Sequence, residues 1–233
     1  MARLSRVVVP GTPHHVTQRG NRRERIFFEP GDEDLYLDLL TTQLRRRSVA
    51  CWSYCLMPNH VHLVLTPSDE AGLALAVGEA HRRYASFIGA RARWTGHLFQ
   101  GRFASVAMDE GHLAAALRYV ALNPVKAGLA ARAQDWPWSS AAALVAGRST
   151  RHVDVAPALL RTGDFGTFLA SGGDEARWRA LLSAETIGRP VGAADWVAAL
   201  EARLGLPLTP QKRGPKARAA DEAEVSDQPM LLE

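Results

Sequence analysis

Apolar and polar residues alternate through the segment YCLMPNHVHLVLTP, residues 54–67. A period of two predicts a β-strand on which His60 and His62 share one face, while the apolar residue between them faces the other way. The Pro-Asn pair in the middle of the segment is a turn signal, so a hairpin with the preceding strand is predicted. Residues 14–19 and the end of TGHLFQGRFASVAM are predicted as further strands.

Three other stretches repeat apolar residues at helical spacing. The first begins near Asp32, the second covers about residues 71–93 and the third covers about residues 110–122. Strands and helices then follow one another in the order β-α-β-β-α-β-α. The predicted fold is therefore α+β: a ferredoxin-like antiparallel sheet with helices on one face.

The composition changes after the segment DWPWSSAAALVAG and divides the chain into three parts. Residues 1–148 are predicted to form the sheet-containing domain. Residues 149–207 hold short helical stretches and are predicted to form a small helical C-terminal extension. Residues 208–233 combine few large apolar residues with a basic block and then an acidic block, so they are predicted to be a disordered tail.

The distribution of charge favours a nucleic-acid partner. The 233 residues carry a net charge of +4 and a pI of about 9.4, but residues 1–150 alone hold 18 Lys and Arg against 12 Asp and Glu. Nearly all of these cations are arginines, whose planar guanidinium suits phosphates and stacked bases. No apolar run is long enough to span a membrane and the N-terminus does not resemble a signal peptide, so a cytoplasmic, nucleoid-associated protein is expected.

Two imidazoles on one strand face point to metal or phosphate binding, because alternate residues of a strand lie about 6.5–7 Å apart. The third predicted helix offers a partner, since Tyr119 and Asn123 lie one turn apart on it. An amide oxygen beside two imidazoles makes a ligand set that a divalent ion accepts. Two plainer interpretations stay open: Asn123 before Pro124 is also a good helix N-cap, and Tyr119 is also a typical half-buried aromatic.

Five segments follow one another over about residues 8–147: RGNRRERIF, MPNHVHLVL, TGHLFQGRF, YVALNPVKAGL and DWPWSS. Together they resemble the REP-associated tyrosine transposases, a branch of the single-tyrosine His-hydrophobic-His (HUH) transposases. The resemblance implies a ferredoxin-like domain that nicks single-stranded DNA beside a hairpin. It also implies that His60 and His62 bind a metal, that Asn123 is the third, polar ligand, and that Tyr119 is the catalytic nucleophile.

The expected function is that of a metal-dependent single-stranded DNA endonuclease and strand transferase, a transposase-like enzyme that acts through a 5′-phosphotyrosine intermediate. Mg²⁺ or Mn²⁺ is the expected cofactor, single-stranded DNA with a REP-like hairpin is the expected partner, and a monomer or a homodimer is expected. The alternative is a non-catalytic regulator of the same fold that binds hairpin DNA or RNA. A third possibility is a zinc-structured protein that uses Cys51 and Cys55, which are predicted to share a strand face, with the histidine pair.

Arginine and aromatic side chains are the candidates for DNA binding, because a single strand needs cations for its phosphates and flat groups for its bases. Trp94 and Phe99 are the candidate stacking residues, and the tail block at residues 212–216 is a further cationic candidate. Tyr84 is the main rival of Tyr119 as nucleophile. The predicted DNA-binding arginines are Arg19, Arg22, Arg23, Arg82, Arg83, Arg91, Arg93 and Arg102.

Overall fold

The computed structural model describes residues 6–208, which form a four-stranded sheet and the helices around it. The strands are β1 (His14–Arg19), β2 (Val49–Met57), β3 (His60–Pro67) and β4 (Ala104–Ala107). The helices are α1 (Asp32–Arg46), α2 (Gly72–Ala92), α3 (Glu110–Lys126), α4 (Ala141–Val145), α5 (Ala156–Thr162), α6 (Phe165–Ala170), α7 (Glu175–Ile187) and α8 (Ala194–Leu204). Short 3₁₀ turns lie at Asn21–Arg23 and Ala133–Asp135.

The sheet has the strand order β2-β3-β1-β4, and all neighbouring strands are antiparallel. The strands β2 and β3 form the predicted hairpin, and β1 lies between β3 and β4. The predicted α+β fold with a ferredoxin-like antiparallel sheet is therefore confirmed. In the strand register, Thr17 of β1 and Cys55 of β2 lie on either side of His62. This register places the histidine pair in the middle of the sheet.

Helices cover both faces of this sheet. The helices α1 and α2 pack against each other and against β2, and Tyr36 of α1 lies beside Cys51. The strand partner of Cys51 is Leu65, which points away from the histidines. On the opposite face, residues of α3 and α7 contact the His62 ring. The structure thus adds a second helical layer, over the histidine face, to the single layer that the sequence predicts.

A bulge in β2 separates the two cysteines. The register of β2 against β3 shifts between Cys51 and Ser53, so that Cys51 pairs with Leu65 whereas Cys55 pairs with His62. The prediction that both thiols share a strand face is wrong, because the extra residue turns Cys51 to the opposite face. Both cysteines are free and buried, and burial raises the pKa of each thiol to about 12. A zinc site that combines both cysteines with the histidine pair does not fit this geometry.

The C-terminal extension shares the hydrophobic core of the sheet domain. Phe165 of α6, and Trp178 and Leu181 of α7, are buried in the same cluster as residues of the sheet. Helix α7 contacts α3 and β4, so the extension lies close to the histidine face. Of the predicted tail, Leu208 is buried, and residues 209–233, with the basic block at 212–216, lie outside the described residues. No helix within residues 6–208 is both long and apolar enough to cross a membrane.

Candidate active site

His60 is oriented by the turn that precedes it. Its Nδ1 lies 2.6 Å from Asn59 Oδ1, and the Asn59 amide is oriented in turn because its Nδ2 donates to the Arg23 carbonyl at 3.0 Å. A carboxamide oxygen only accepts hydrogen bonds, so His60 Nδ1 carries the proton and Nε2 keeps its lone pair. The ring of His62 is 4.8 Å away, centroid to centroid, and nearly perpendicular.

His62 is held by a second histidine, on the neighbouring strand. His62 Nδ1 lies 3.0 Å from Nε2 of His15 on β1, and the two rings are stacked with their centroids 5.2 Å apart. His15 Nδ1 in turn lies 2.9 Å from Glu185 Oε1 on α7. The other ring nitrogen of His62, Nε2, is buried and has no hydrogen-bond partner among the described residues. The site therefore contains an imidazole nitrogen that is free for a ligand.

Both imidazoles of the pair are neutral at pH 7, because burial opposes their protonation. Burial, followed by the charge of nearby Arg19, lowers the pKa of His60 to about 4. Burial is also the main reason that the pKa of His62 lies well below its usual value of 6.5, and His15 lowers it further. Neutral imidazole is the form that binds metal ions.

Helix α3 presents Tyr119 and Asn123 one turn apart. It begins at the N-cap Asp109, whose side chain accepts a hydrogen bond from the backbone N–H three residues later at 2.8 Å. The helix then continues through Pro124. The interpretation of Asn123 as the N-cap of a new helix is therefore wrong, since Asn123 lies inside the last turn of α3. Pro124 removes one helical hydrogen bond, and both it and Asn123 are buried, so packing offsets this loss.

Tyr119 lies between the histidine pair and α7. Its ring stacks on Trp178, with centroids 3.4 Å apart and planes inclined by 14°, and meets the His62 ring edge-on at 5.7 Å. Burial, the largest influence, and the Glu185 carboxylate raise the pKa of Tyr119, whereas the Arg19 cation lowers it. The phenol is therefore protonated at neutral pH, and a further positive charge is needed to favour the phenolate.

The other three tyrosines are structural. Tyr84 is fully buried, and its hydroxyl donates to the Ile26 carbonyl at 2.7 Å. Tyr36 is also fully buried, with its hydroxyl 2.8 Å from His81 Nε2, and burial raises the pKa of Tyr54 to about 12. Residues 6–208 contain all four tyrosines of the chain, and Tyr119 alone is not buried. Tyr84 is thus a poor rival, because its hydroxyl is enclosed and already paired.

The side chains at the site fit a divalent ion with few protein ligands. No group of three or more His, Cys, Asp and Glu side chains in residues 6–208 is arranged to hold a metal ion. His60 and His62 nevertheless each present Nε2, and His62 Nε2 is an unpartnered buried atom. The side-chain amide of Asn123 is buried, and its Nδ2 has no hydrogen-bond partner among the described residues. Rotation of this amide to direct Oδ1 to an ion would therefore break no hydrogen bond at Nδ2. Water and phosphate oxygens would supply the remaining ligands.

Arg19 is the predicted DNA-binding residue nearest to the histidine pair. It ends β1 and lies opposite His60 in the strand register. Arg22 and Arg23 follow in an exposed 3₁₀ turn, where both adopt a left-handed backbone with φ of 52° and 64°. The segment that leaves the sheet beside the candidate site is therefore cationic and solvent-accessible.

Arg91 differs from the other predicted arginines, because its ion-pair partner, Asp32, is buried. Arg82 and Arg83 also form ion pairs, both with Glu79, but these two arginines are exposed. Its guanidinium contacts the two carboxylate oxygens of Asp32 at 2.7 and 2.8 Å. Burial opposes the charge of Asp32, yet Arg91 and two backbone N–H groups together hold the pKa of this carboxyl below its usual value. The remaining predicted arginines are exposed on α2 or in the loop that follows it: Arg82, Arg83, Arg93 and Arg102.

Two clefts flank the loop between α2 and β4. One has a volume of about 380 Å³ and is lined by Arg25 and Trp94, among others. The other has a volume of about 550 Å³ and is lined by Arg82 and Arg102, among others. Trp94 is 55% exposed and meets the Phe28 ring edge-on with centroids 5.1 Å apart, whereas Phe99, the second predicted stacking residue, is buried. The clefts thus combine cations with one accessible aromatic ring.

The sequence-based site lacks three residues that the structure brings to it. His15 and Thr17 flank Val16, the one apolar residue of β1, and this placement of two polar residues on the same strand face is the local signal that marks His15. Trp178 and Glu185 occupy one stripe of α7, but such a stripe does not reveal the surface on which the helix packs. Glu185 is 168 positions from Thr17, whose hydroxyl donates to Glu185 Oε2 at 3.3 Å.

Known transposases resemble this chain in sequence or in fold. Residues 9–123 match the family model described as Transposase IS200 like. The structure is similar to that of a REP-associated tyrosine transposase bound to a REP hairpin, with 21% sequence identity, a TM-score of 0.54 and coverage of 67% of this chain and 94% of that chain. It also matches a presumed transposase from Deinococcus radiodurans R1, with 20% identity, a TM-score of 0.36 and coverage of 51% of this chain and 95% of that chain. Among curated proteins, no match is found.

The family match and the fold similarity agree with the motifs in the sequence. The matched range runs from the segment before β1 to Asn123, so it includes the histidine pair and Tyr119. The similarity to the hairpin-bound transposase concerns the fold. The family indicates a transposase-like, DNA-processing enzyme. Over residues 9–123, just under half of the chain, the sequence is thus similar to the IS200-like transposase family.

Proposed function

We propose that the chain is a metal-dependent single-stranded DNA endonuclease and strand transferase that acts beside DNA hairpins. One observation carries the proposal: the ring of Tyr119, the one tyrosine of the chain that is not buried, meets the ring of His62, whose Nε2 is buried and unpartnered. The match of residues 9–123 to the IS200-like transposase family supports the reaction class. The hairpin substrate is supported by the similar fold of a transposase that is bound to a REP hairpin.

Tyr119 is the nucleophile in this proposal. Its Oη attacks the scissile phosphorus, a phosphorus–oxygen bond to the tyrosine forms, and the bond to the 3′ oxygen breaks. The phenolic proton passes to solvent, and the departing 3′ oxygen takes a proton from solvent. The products are a 5′-phosphotyrosine and a free 3′-hydroxyl. Because the tyrosyl ester is also a phosphodiester, a 3′-hydroxyl can reverse the attack and join strands without ATP.

His60, His62 and Asn123 are the proposed ligands of Mg²⁺ or Mn²⁺, through the two Nε2 atoms and Oδ1. When bound, the ion supplies Lewis-acid polarisation and orientation of the scissile phosphate. Asn59 fixes the proton on His60 Nδ1 and thereby keeps Nε2 free. The charge of Arg19 already lowers the pKa of Tyr119, and additional positive charge at the histidine pair favours the phenolate further.

The exposed arginines supply the proposed DNA-binding surface. Arg19, Arg22 and Arg23 would neutralise phosphates next to the site, and Trp94 would stack on an unpaired base. The exposed arginines on α2 and its following loop would contact the hairpin: Arg82, Arg83, Arg93 and Arg102. Arg91 contributes chiefly to stability in this arrangement, because Asp32 occupies its guanidinium.

The test is the formation of a covalent complex. Purified protein is incubated with end-labelled single-stranded oligonucleotides that contain hairpin repeats from its own genome, with Mn²⁺ or Mg²⁺, and the products are separated on denaturing gels. A protein–DNA adduct is expected for the wild type and is expected to disappear in Tyr119→Phe, in His62→Ala and in the presence of EDTA. An adduct that persists in Tyr119→Phe would contradict the assigned nucleophile.

A second candidate function is hairpin binding without cleavage. The stacking of Trp178 on Tyr119 favours it, because the indole covers one face of the phenol ring. Tight hairpin binding with neither a nick nor an adduct, under both metals, would support this candidate. Cleavage by the wild type would exclude it.

A further inference from the structure

A chain of polar contacts leads from α7 to the histidine pair. Glu185 Oε1 lies 2.9 Å from His15 Nδ1, and His15 Nε2 lies 3.0 Å from His62 Nδ1. Both histidines are buried, with 0% and 3% of their surface exposed. The Thr17 hydroxyl donates to the second carboxylate oxygen of Glu185 at 3.3 Å, so both ends of this carboxylate face β1.

We propose that Glu185 and His15 are positioning residues that fix the tautomer and the ring orientation of His62, so that Nε2 is the nitrogen presented to a divalent ion. The inference rests on the proposed function, in which His62 is a metal ligand. Buried partners of metal-binding histidines commonly have this effect in other proteins. Here the partner of the ligand is a second histidine, and the carboxylate acts through it.

The order of protons follows from the chemistry of the three groups. The negative charge of the Glu185 carboxylate, whose Oε1 lies 2.9 Å from His15 Nδ1, favours a proton on that nitrogen of a neutral His15, although the two atoms are not aligned as a hydrogen bond. His15 Nε2 then has a lone pair and accepts a hydrogen bond from His62 Nδ1. The remaining lone pair of His62 is on Nε2, which is the atom without a partner. Glu185 therefore determines which nitrogen of His62 is free, although it does not touch that ring.

Ring packing restricts the same two imidazoles. The rings of His15 and His62 are inclined by only 11°, and Trp178 packs edge-on against His15 with its centroid 5.3 Å away. Trp178 and Glu185 both come from α7, which lies beyond the family-matched residues 9–123. The C-terminal extension thus completes a site whose other residues belong to the family-matched region.

The first test measures tautomers in the full-length wild-type protein without metal. Two-dimensional NMR of ¹⁵N-histidine-labelled protein near pH 7.5 distinguishes protonated from unprotonated ring nitrogens. His62 and His15 are both expected to carry the proton on Nδ1. A proton on His62 Nε2 would overturn the proposal, because that nitrogen would then have no lone pair for an ion. A doubly protonated His15 ring would also overturn it, because His15 Nε2 could then not accept a hydrogen bond from His62 Nδ1.

The second test compares two substitutions of the same type on α7. Glu185→Gln removes the carboxylate next to His15, whereas Glu175→Gln changes an exposed residue that pairs with Lys126. Glu185→Gln is expected to produce a mixture of His62 tautomers and to weaken Mn²⁺ binding, measured by calorimetry, by about tenfold. Glu175→Gln is expected to match the wild type in both. Equal Mn²⁺ affinity and an unchanged His62 tautomer in the two variants would overturn the proposal.

These outcomes are separable from those of the nuclease test. If wild type forms the adduct but Glu185→Gln changes neither tautomer nor Mn²⁺ affinity, the positioning role is wrong and the nuclease stands. If the tautomers and Mn²⁺ affinities are as expected but no adduct forms, the positioning role stands and the nuclease is wrong. Circular dichroism melting of each variant checks that a lower Mn²⁺ affinity does not reflect unfolding.

Discussion

Histidine and tyrosine side chains meet on both faces of the sheet, in two clusters with different hydrogen bonding. Between α1 and α2, the Tyr36 hydroxyl lies 2.8 Å from His81 Nε2, and the Tyr84 hydroxyl donates to a backbone carbonyl at 2.7 Å. On the other face, His62 keeps an unpartnered Nε2, and Tyr119 is only partly buried. The first group is the core cluster and the second is the site cluster.

The comparison shows that burial of polar aromatic groups does not by itself mark a functional site. In the core cluster both phenols are paired and enclosed, which is the usual state of buried polar groups in a stable protein. In the site cluster a buried nitrogen without a partner costs about 1–3 kcal/mol. A ligand that binds this nitrogen would recover that free energy, so the unpaired atom is the informative one. Paired substitutions, one in each cluster, test this difference between the clusters.

The largest contrast is expected between Tyr119→Phe and Tyr84→Phe. Loss of the Tyr119 hydroxyl should abolish the covalent DNA adduct, because the proposed nucleophilic oxygen is gone. Loss of the Tyr84 hydroxyl should leave the adduct intact but lower the free energy of unfolding by about 1–3 kcal/mol, because the Ile26 carbonyl loses its buried donor. Denaturing gels and urea unfolding measure the two effects. Loss of the adduct in Tyr84→Phe, in protein that remains folded, would contradict the purely structural role of Tyr84.

The next contrast concerns the histidines. His62→Ala is expected to weaken Mn²⁺ binding by at least about tenfold and to stop cleavage, because a direct ligand is removed. His81→Ala is expected to leave Mn²⁺ affinity within twofold of wild type, while it lowers the free energy of unfolding by about 2 kcal/mol through the unpaired Tyr36 hydroxyl and the lost packing. Calorimetry with Mn²⁺ and urea unfolding of both variants provide the comparison. Equal losses of Mn²⁺ affinity in the two would contradict it.

The sequence predicts those parts of this architecture that depend on short spacings. The alternation around His60 and His62 correctly places both on one strand face, and the helical spacing places Tyr119 and Asn123 one turn apart. The hairpin, the three main helices and the α+β class follow from the same periodicities, and the structure confirms them. The assignment of catalytic and metal-binding roles to the four residues stays a prediction.

Sequence patterns do not predict the features that depend on packing between distant segments. One bulge in β2 turns Cys51 to the opposite face, and no local signal at that position reveals it. The burial of Tyr84, and the ion pair between Arg91 and Asp32, depend on how α1 and α2 pack together. Glu185 reaches the site only because α7 docks on the histidine face. Each depends on contacts between segments distant in the chain, which periodicity does not encode.

A third and smaller difference is expected between two arginine substitutions, one at Arg19 beside the site cluster and one at Arg91 beside the core cluster. Arg19→Ala should weaken hairpin binding and reduce the slope of log affinity against log salt by about 0.7, the value for one phosphate contact on a single strand. Arg91→Ala should leave this slope unchanged but lower the free energy of unfolding by on the order of 3 kcal/mol, because Asp32 is left buried without its partner. Fluorescence anisotropy across a salt series and urea unfolding measure these effects. A reduced salt slope in folded Arg91→Ala would assign that arginine to DNA.

The smallest expected effect is one in which the two clusters behave alike. Burial lowers the pKa of His81 to about 3 and that of His60 to about 4, whereas an unfolded histidine titrates near 6.5. Below pH 6.5 the unfolded chain binds protons that the folded protein does not bind. The contribution of these histidines to the free energy of unfolding is therefore fully present above this pH and is lost as the pH falls toward 4. At pH 5.5 each of these histidines should lower the free energy of unfolding by about 1.4 kcal/mol relative to its value at pH 7.5.

Urea unfolding in EDTA at pH 5.5 and 7.5 tests this shared behaviour. His81→Gln and His60→Gln should each reduce the wild-type difference between the two pH values by about 1.4 kcal/mol, because each removes one histidine that must stay neutral in the folded state. Unfolding at pH 7.5 and 8.5 serves as the control, since the histidine contribution is absent above pH 6.5. A reduction in His81→Gln alone would show that His60 takes up a proton while the protein stays folded. The site cluster would then differ from the core cluster in solvation as well as in hydrogen bonding.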